Sequence, residues 1–201
     1  MQKLFILVAV ILATFGLKAQ NNYDAFITPS GNFEFSGEIF TQGTQEELQN
    51  KVKEWFMTSY INYSKDGIID GDINTGEFTA RANFTGKRSY NPFAGSFTDN
   101  ITYLFRVKVE PGKINYRIFS IKVTTTYVGW TVNNTIRDLS EEVQKMTNAQ
   151  TALNILEQEK KPSKKAMKEQ KNIIKEQEEM VGNIVSKLKG IINSFEREMK
   201  R

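Results

Sequence analysis

The sequence predicts an α+β protein in which an antiparallel sheet of about five strands is followed by a long C-terminal helical hairpin. Three observations support this fold class. Apolar and polar residues alternate, as in half-buried strands, in several segments between residues 33 and 127. A helix-capping motif with a helical apolar pattern follows the first of these segments. From about Thr135 to the end, apolar residues recur every three or four positions, which is typical of amphipathic helices.

The first strand and the first helix are adjacent in the sequence. Phe33, Phe35 and Ile39 alternate with polar residues, which predicts a strand over residues 33–40. Thr44 and Glu47 then stand at the spacing of a capping box, in which each side chain satisfies the other residue's free amide. The helix that follows carries one apolar face, formed by Leu48, Val52, Trp55 and Phe56 and continued by Ser59.

Two hairpins are predicted to supply the remaining four strands. In the first, alternating residues on either side of an Asn-Thr-Gly turn at 74–76 pair residues 69–73 with 78–84. In the second, residues 101–109 pair with a long strand that runs from Lys113 to about Tyr127. The element order is therefore strand, helix, four strands and helix, with one further helix at the end.

The long strand changes its apolar phase near its middle. The first part alternates through Ile114, Tyr116 and Ile118, and the second part alternates from an adjacent position through Phe119, Ile121 and Val123. Either a β-bulge near Ile118 or burial of both faces of the strand would explain this change.

The C-terminal third is predicted to form two antiparallel helices. The first begins near Thr135 and ends before Pro162, because proline lacks the amide that a continuing helix needs. The second runs from about Ser163 to Lys200 and has apolar residues every seven positions: Met167, Ile174, Val181, Leu188 and Phe195. The same repeat is compatible with an intermolecular coiled coil, so a homo-oligomer through this helix is an alternative.

The N-terminus predicts export. Lys3 is followed by an uncharged run from Leu4 to Leu17, and Ala19 supplies a small residue before a polar stretch, which is the pattern of a secretory signal peptide. The run is shorter than the roughly 20 residues of a transmembrane helix, so a permanent membrane anchor is the weaker alternative and no membrane span is expected after cleavage. We therefore divide the chain into a signal peptide (1–19), a sheet domain (20–134) and a helical hairpin extension (135–201), located in the periplasm or outside the cell.

The composition excludes several classes of catalytic and metal site. The sequence contains no histidine and no cysteine, so Ser-His-Asp and Cys-His catalysis and zinc sites built on these residues are impossible. We expect no cofactor, no metal and no enzymatic activity, although carboxylate, lysine or tyrosine chemistry remains open. Removal of the signal peptide leaves a net charge of +2, which gives no indication of nucleic-acid binding.

Residues from about 20 to 146 resemble a bacterial secreted family of unknown function described as having a TATA-binding-protein-like fold. The resemblance is carried by the leader ending at Ala19 and Gln20, the strand over 33–40, the helix from Glu46 to Phe56 with Trp55, and the two hairpins. It implies a curved antiparallel sheet with both domain helices on one face and the other face free. It implies no activity and no site residues, and the helix from Ser163 to Lys200 lies outside the family pattern.

The strongest candidate site is the sheet face opposite the apolar residues. By strand phase, four cations point to this face and could bind an anionic glycan or lipid head group: Arg81, Arg106, Lys108 and Arg117. Four acidic residues fall on the same face, so cross-strand ion pairing is an alternative explanation: Glu34, Glu38, Asp70 and Asp72.

Other candidate sites have simpler explanations. Asp70 to Asn74 begins like a calcium loop, but Thr75 replaces the required glycine and Arg81 the required glutamate, so we interpret the segment as a turn. Asp70 and Asp72 also have a spacing compatible with a glycosidase pair, but we interpret them as two exposed aspartates near a turn. The irregular stretch from Gly86 to Phe97 mixes charged and aromatic residues, and the lysines around Pro162 form a basic hairpin tip.

Three functions therefore remain open from the sequence. The first is a non-enzymatic exported module that binds an unknown, anionic partner of the envelope or the extracellular space. The second is an oligomeric structural protein assembled through the last helix, and the third is a carboxylate- or lysine-dependent enzyme acting on an envelope substrate. An exposed basic patch would favour the first, an exposed apolar stripe the second and a pocket of titratable groups the third.

Overall fold

The computed structural model describes residues 23, 26–59, 69–72, 75–87, 96–128, 132–159 and 161–201. For residues 59, 69–72, 87, 96–97, 128 and 132–133 only the backbone is described. The predicted signal peptide at 1–19 therefore lies outside the described residues. The same holds for Ile73 and Asn74 of the calcium-like segment and for residues 88–95 of the irregular stretch.

This part of the chain forms six strands and three helices. The strands are β1 (Phe35–Phe40), β2 (Ile69–Asp72), β3 (Glu77–Lys87), β4 (Ser96–Glu110), β5 (Lys113–Val128) and β6 (Val132–Asp138). The helices are α1 (Gln45–Ser59), α2 (Leu139–Glu157) and α3 (Lys164–Met199). The predicted α+β class with a C-terminal helical hairpin is confirmed. The strands β3 and β4 take up both ends of the stretch from Gly86 to Phe97, which is therefore shorter than predicted.

All strand pairs in the sheet are antiparallel, and the strands follow the order β1-β5-β4-β3-β2. The long strand β5 pairs with β4 on one edge. Its other edge is shared, because β1 pairs with residues 113–118 and β6 with residues 122–128. Both predicted hairpins are confirmed, with Asp72 opposite Glu77 in the first and Glu110 opposite Lys113 in the second.

Strand β6 is an element that the sequence analysis missed. We expected a helix from about Thr135, but residues up to Asp138 continue the sheet and α2 begins at Leu139. The Ile136 side chain is 66% exposed whereas Leu139 is fully buried, so only the latter belongs to the apolar face of the helix. Ile136 and Leu139 are three residues apart, which is also a helical spacing, so the sequence pattern did not reveal the boundary between β6 and α2.

The phase change in β5 is a β-bulge. Leu104 pairs with Phe119 and Thr102 pairs with Lys122, so the single residue Tyr103 stands opposite both Ser120 and Ile121. Ser120 has a φ of 53°, which is the left-handed conformation that accommodates one extra residue. The bulge lies two residues beyond the predicted position, so Phe119 precedes it and belongs to the face opposite that of Ile118.

The helices cover one face of the sheet. Alternate residues of β4 point to this face and are buried with their counterparts on β3 and β5: Ile101, Tyr103, Phe105, Val107 and Val109. The predicted capping box of α1 is present, because the Thr44 amide donates to Glu47 Oε2 at 2.8 Å and the Glu47 amide donates to Thr44 Oγ1 at 3.3 Å. The bond from the Thr44 amide, together with one from the Thr44 hydroxyl to Glu47 Oε2 at 3.0 Å, lowers the pKa of the Glu47 carboxyl. No described helix packs on the other face, as the family resemblance implies.

The C-terminal half of α3 is part of the same core. Its buried residues are Met180, Val181, Ile184, Val185, Leu188, Ile192, Phe195 and Met199, so the predicted apolar stripe packs within one chain. Two bonds fix the end of the helix, because Thr41 Oγ1 and Lys51 Nζ donate to the Met199 carbonyl at 2.9 and 3.4 Å. Tyr116 donates to Glu196 Oε1 at 2.6 Å beside them. Of the seven-residue repeat, Val181, Leu188 and Phe195 are thus buried within one chain, whereas Met167 and Ile174 are half-buried.

Candidate functional site

The four predicted cations lie together on the sheet face that the helices leave uncovered. They occupy three neighbouring strands, with Arg81 on β3, Arg106 and Lys108 on β4, and Arg117 on β5. Arg106 and Arg117 are direct cross-strand partners, and Arg81 is opposite Leu104. All four residues are exposed. We call Arg81, Arg106, Lys108 and Arg117 the cation patch.

Arg117 has the strongest partner in the cation patch. Its Nε donates to Glu34 Oε2 at 2.7 Å, and its Nη2 donates to the other carboxylate oxygen. This two-point contact holds the guanidinium in one orientation and raises its pKa above the ordinary value. The Glu34 side chain is only 12% exposed, so this carboxylate depends on its arginine more than a surface carboxylate would.

The other cations have weaker partners. Arg106 Nε lies 3.2 Å from Glu77 Oε1 and 3.4 Å from Thr79 Oγ1, and Lys108 Nζ lies 3.0 Å from Glu110 Oε1. These side chains are exposed, and such ion pairs contribute about 0–1 kcal/mol each. Arg81 makes no ion pair with a described side chain. Ion pairing thus accounts for three of the four cations: Glu34 and Glu77 come from neighbouring segments of the sheet, and Glu110 is on the same strand as Lys108.

The acidic partners differ in part from those that the sequence predicted. Glu34 pairs with Arg117 as expected, whereas Glu38 pairs with Lys113 at 2.8 Å, outside the cation patch. This contact raises the pKa of Lys113. The side chains of Asp70 and Asp72 are outside the described part. Glu77 is opposite Lys108 on the neighbouring strand and therefore lies on the same face as the cation patch. The alternation of residues in the first hairpin could have predicted this orientation.

An aromatic ring at the centre of this face was also missed. Phe119 is half-buried, and the guanidinium carbons of Arg106 and Arg117 lie 5.2 and 4.7 Å from its ring centroid. Like charges directly opposite each other destabilise a sheet, and the ring offsets this repulsion through cation–π contact. Two adjacent apolar residues, Ile118 and Phe119, were the signal that one of them must face outward.

The ion pairs leave donors available. A guanidinium carries five N–H donors, and Arg117 uses its Nε and one Nη2 proton on Glu34, while Arg106 directs only its Nε to Glu77 and Thr79. The carboxylates and the ring therefore orient the two guanidinium groups without exhausting them. Such an arrangement is suited to the recognition of phosphate, sulfate or carboxylate groups.

A second group of polar residues lies on the helix-covered side of the sheet. The Thr125 hydroxyl donates to Asp99 Oδ1 at 2.6 Å and accepts from Arg137 Nη2 at 3.1 Å, and Arg137 Nε lies 2.7 Å from Glu142 Oε1. Asp99 and Glu142 are 2% and 1% exposed. These contacts join β4, β5 and β6 to the first turn of α2. Asp99 stands in the buried phase of β4, a signal that the sequence analysis did not use.

A shallow groove lies between α2 and α3. Its lining includes Glu141 and Lys145 from α2 and Gln170 and Ile173 from α3. The two ionisable groups are four residues apart on α2 and therefore lie on the same face of that helix. Across the described ranges, no group of acidic residues is arranged to hold a metal ion. In the same ranges, no helix has the length and apolarity needed to cross a membrane.

Two solved structures are similar to this chain. A DUF4468 family protein from Bacteroides ovatus is 15% identical over 83% of this chain and 95% of that chain, with a TM-score of 0.48. A TBP-like protein from Parabacteroides distasonis is 12% identical over 80% of this chain and 92% of that chain, with a TM-score of 0.46. No protein-family model and no curated protein matches the sequence. The TBP-like description agrees with the resemblance noted in the sequence, and both similarities concern the fold alone.

Proposed function

We propose that the protein is an exported, non-enzymatic module that binds an anionic partner of the bacterial envelope through the cation patch. The observation that carries this proposal is the pair of oriented guanidinium groups, Arg106 and Arg117, on a sheet face that no described helix covers. Export rests on the leader sequence at residues 1–19. A binding role in place of catalysis is supported by the absence of histidine and cysteine from the whole sequence.

The partner is expected to carry phosphate, sulfate or carboxylate groups. These groups match the planar donors of arginine, and Arg81 adds an exposed positive charge one strand away. A glycan and an anionic lipid head group both present this chemistry. The carboxylates of Glu34 and Glu77 discriminate against weak anions, because a ligand must bind guanidinium groups that already have partners.

Arrays of glycans and lipids test the proposal. The mature protein and an Arg106→Ala, Arg117→Ala double variant are applied to the same arrays at two salt concentrations. We expect the wild type to bind anionic spots in a salt-dependent manner and the double variant to lose this signal. Equal retention of the two proteins on every spot would reject the cation patch as the binding site.

The matched control is a Lys164→Ala, Lys165→Ala variant, which removes the same charge from the exposed tip of the helical hairpin. It should bind like the wild type, and loss of binding in this variant alone would transfer the activity to the basic tip. Circular dichroism and urea unfolding of each variant exclude misfolding as the cause. Export is tested by N-terminal sequencing of the protein recovered from the cell envelope, which should begin at or near Gln20.

A further inference from the structure

The uncovered sheet face continues beyond the cation patch into a surface of mostly uncharged polar residues. Past the bulge of β5, the described outward side chains of β3, β4 and β5 are threonine and asparagine, with the exception of the exposed Lys122 opposite Thr102. These six residues, which we call the neutral patch, are exposed or half-exposed: Asn83, Thr85, Asn100, Thr102, Thr124 and Thr126.

The neutral patch has a regular geometry because the strands are in register. Thr85 is opposite Asn100, and Asn100 is opposite Thr124, so three polar side chains form one row across the sheet. Neighbouring strands in a sheet are about 4.8 Å apart. The row ends on β6 at Ile136, which is 66% exposed and adds an apolar surface next to the hydrogen-bonding groups.

From this arrangement we infer that the anionic partner is an acidic polysaccharide, whose charged groups bind the cation patch while neighbouring sugar units lie on the neutral patch. The inference rests on the proposed function and specifies its ligand. Arg106 and Asn100 are six residues apart on β4, which corresponds to about 20 Å of extended strand. A ligand that reaches from Arg106 to the row of Thr85, Asn100 and Thr124 must therefore be a polymer and not a single head group.

The chemistry of the neutral patch favours sugar over the other anionic partners. Threonine hydroxyls and asparagine amides both donate and accept hydrogen bonds, as sugar hydroxyls do. The apolar side chain of Ile136 matches the C–H face of a sugar ring. A protein partner would instead be expected to bury aromatic, methionine and arginine side chains, which the six residues of the neutral patch do not include.

The test compares polymers that differ in charge or in sugar content. The first probe is a uronic-acid polysaccharide, and the second is the same polymer after its carboxyl groups have been reduced to alcohols. Inorganic polyphosphate, which carries charge without sugar, is the third, and vesicles with anionic lipid are the fourth. We expect the uronate polymer to bind at least about tenfold more tightly than each of the other three.

Variants of the neutral patch supply the decisive comparison. Thr85→Val and Thr124→Val together remove two hydroxyl groups while keeping side chains of similar shape and high strand propensity. We expect this double variant to bind the uronate polymer about tenfold more weakly and to bind polyphosphate as the wild type does. Thr58→Val and Thr151→Val, which change two exposed helical threonines, form the control and should bind both polymers like the wild type.

The outcomes separate this inference from the proposed function. If polyphosphate or anionic vesicles bind as tightly as the uronate polymer, and the Thr85, Thr124 variant binds like the wild type, the glycan assignment is wrong. The cation patch would then remain the binding site provided that the Arg106, Arg117 variant loses binding. If no probe binds, both proposals fail.

Discussion

Replacing Phe195 with alanine tests whether α3 belongs to the core of the sheet domain. Phe195 is completely buried, and its ring centroid lies 4.8 Å from that of Trp55, 5.2 Å from that of Phe105 and 5.8 Å from that of Tyr116. It therefore joins α3 to α1 and to two strands. The substitution removes all three ring contacts and leaves a cavity where the helices meet the sheet.

The expected loss can be worked out from these contacts. Truncation of a buried phenylalanine costs about 3–5 kcal/mol, and each aromatic pair contributes about 0.5–1.5 kcal/mol beyond burial. With three aromatic neighbours, Phe195→Ala should lie near the upper end, at about 4–5 kcal/mol. In urea, where the slope is about 1–3 kcal/mol per molar, the unfolding midpoint should fall by about 2 M.

Equilibrium urea unfolding, followed by tryptophan fluorescence and circular dichroism, measures this loss. Met57→Ala is the control, because Met57 is 71% exposed on α1 and its truncation should change stability by no more than about 0.5 kcal/mol. A loss below about 1.5 kcal/mol for Phe195→Ala, with an unchanged slope, would refute the packing of α3 against the sheet. Light scattering of both proteins shows whether α3 instead joins two chains.

Three further predictions concern contacts around the core. Burial and the hydrogen bond to Glu196 raise the pKa of Tyr116 well above 10. The stability that depends on the protonated hydroxyl is therefore complete below pH 10 and is lost as the pH rises further. Thermal unfolding at pH 9 and pH 11 measures this loss of stability, which should be smaller in Tyr116→Phe than in the wild type. Gly37→Ala should lower the free energy of unfolding by about 1–3 kcal/mol in urea titrations, because the added methyl would collide with the Tyr116 hydroxyl. The control, Ser36→Ala at the neighbouring exposed position, should have little effect. Arg137→Met should lower the free energy of unfolding by about 3 kcal/mol, because it leaves the buried carboxylate of Glu142 unpaired. Adding Glu142→Gln should restore part of this stability. Equal stability of the single and double variants would contradict the ion pair.

The regular parts of the fold could be predicted because their signals are local. The capping box of Thr44 and Glu47 and the strict alternation in β3 and β4 depend only on neighbouring residues, and the structure confirms them. The last helix also begins where predicted, next to Ser163, whose hydroxyl caps α3 by accepting from the Ala166 amide at 3.3 Å. Wherever a segment buries one face and solvates the other, the sequence contains the necessary information.

The errors arose where two elements meet or where a contact is distant in sequence. Ile136 lies on the exposed face of β6 but stands three residues before Leu139, so periodicity alone placed it in a helix. The chain positions of Arg106 and Arg117 identified their common face, yet the contacts of both with Phe119 depend on the exact site of the bulge. The bridge between Arg137 and Glu142 also required knowledge of β6, which was missing.

Under the proposed function, the bulge at Ser120 would limit the shape of the ligand. An extra residue in one strand increases the local right-handed coiling of a sheet, so the surfaces before and after it face different directions. A stiff, straight rod could lie flat on only one of them at a time. A chain with rotatable linkages could follow the turn, so under the proposed function the backbone at one serine would select for ligand flexibility as well as for ligand charge.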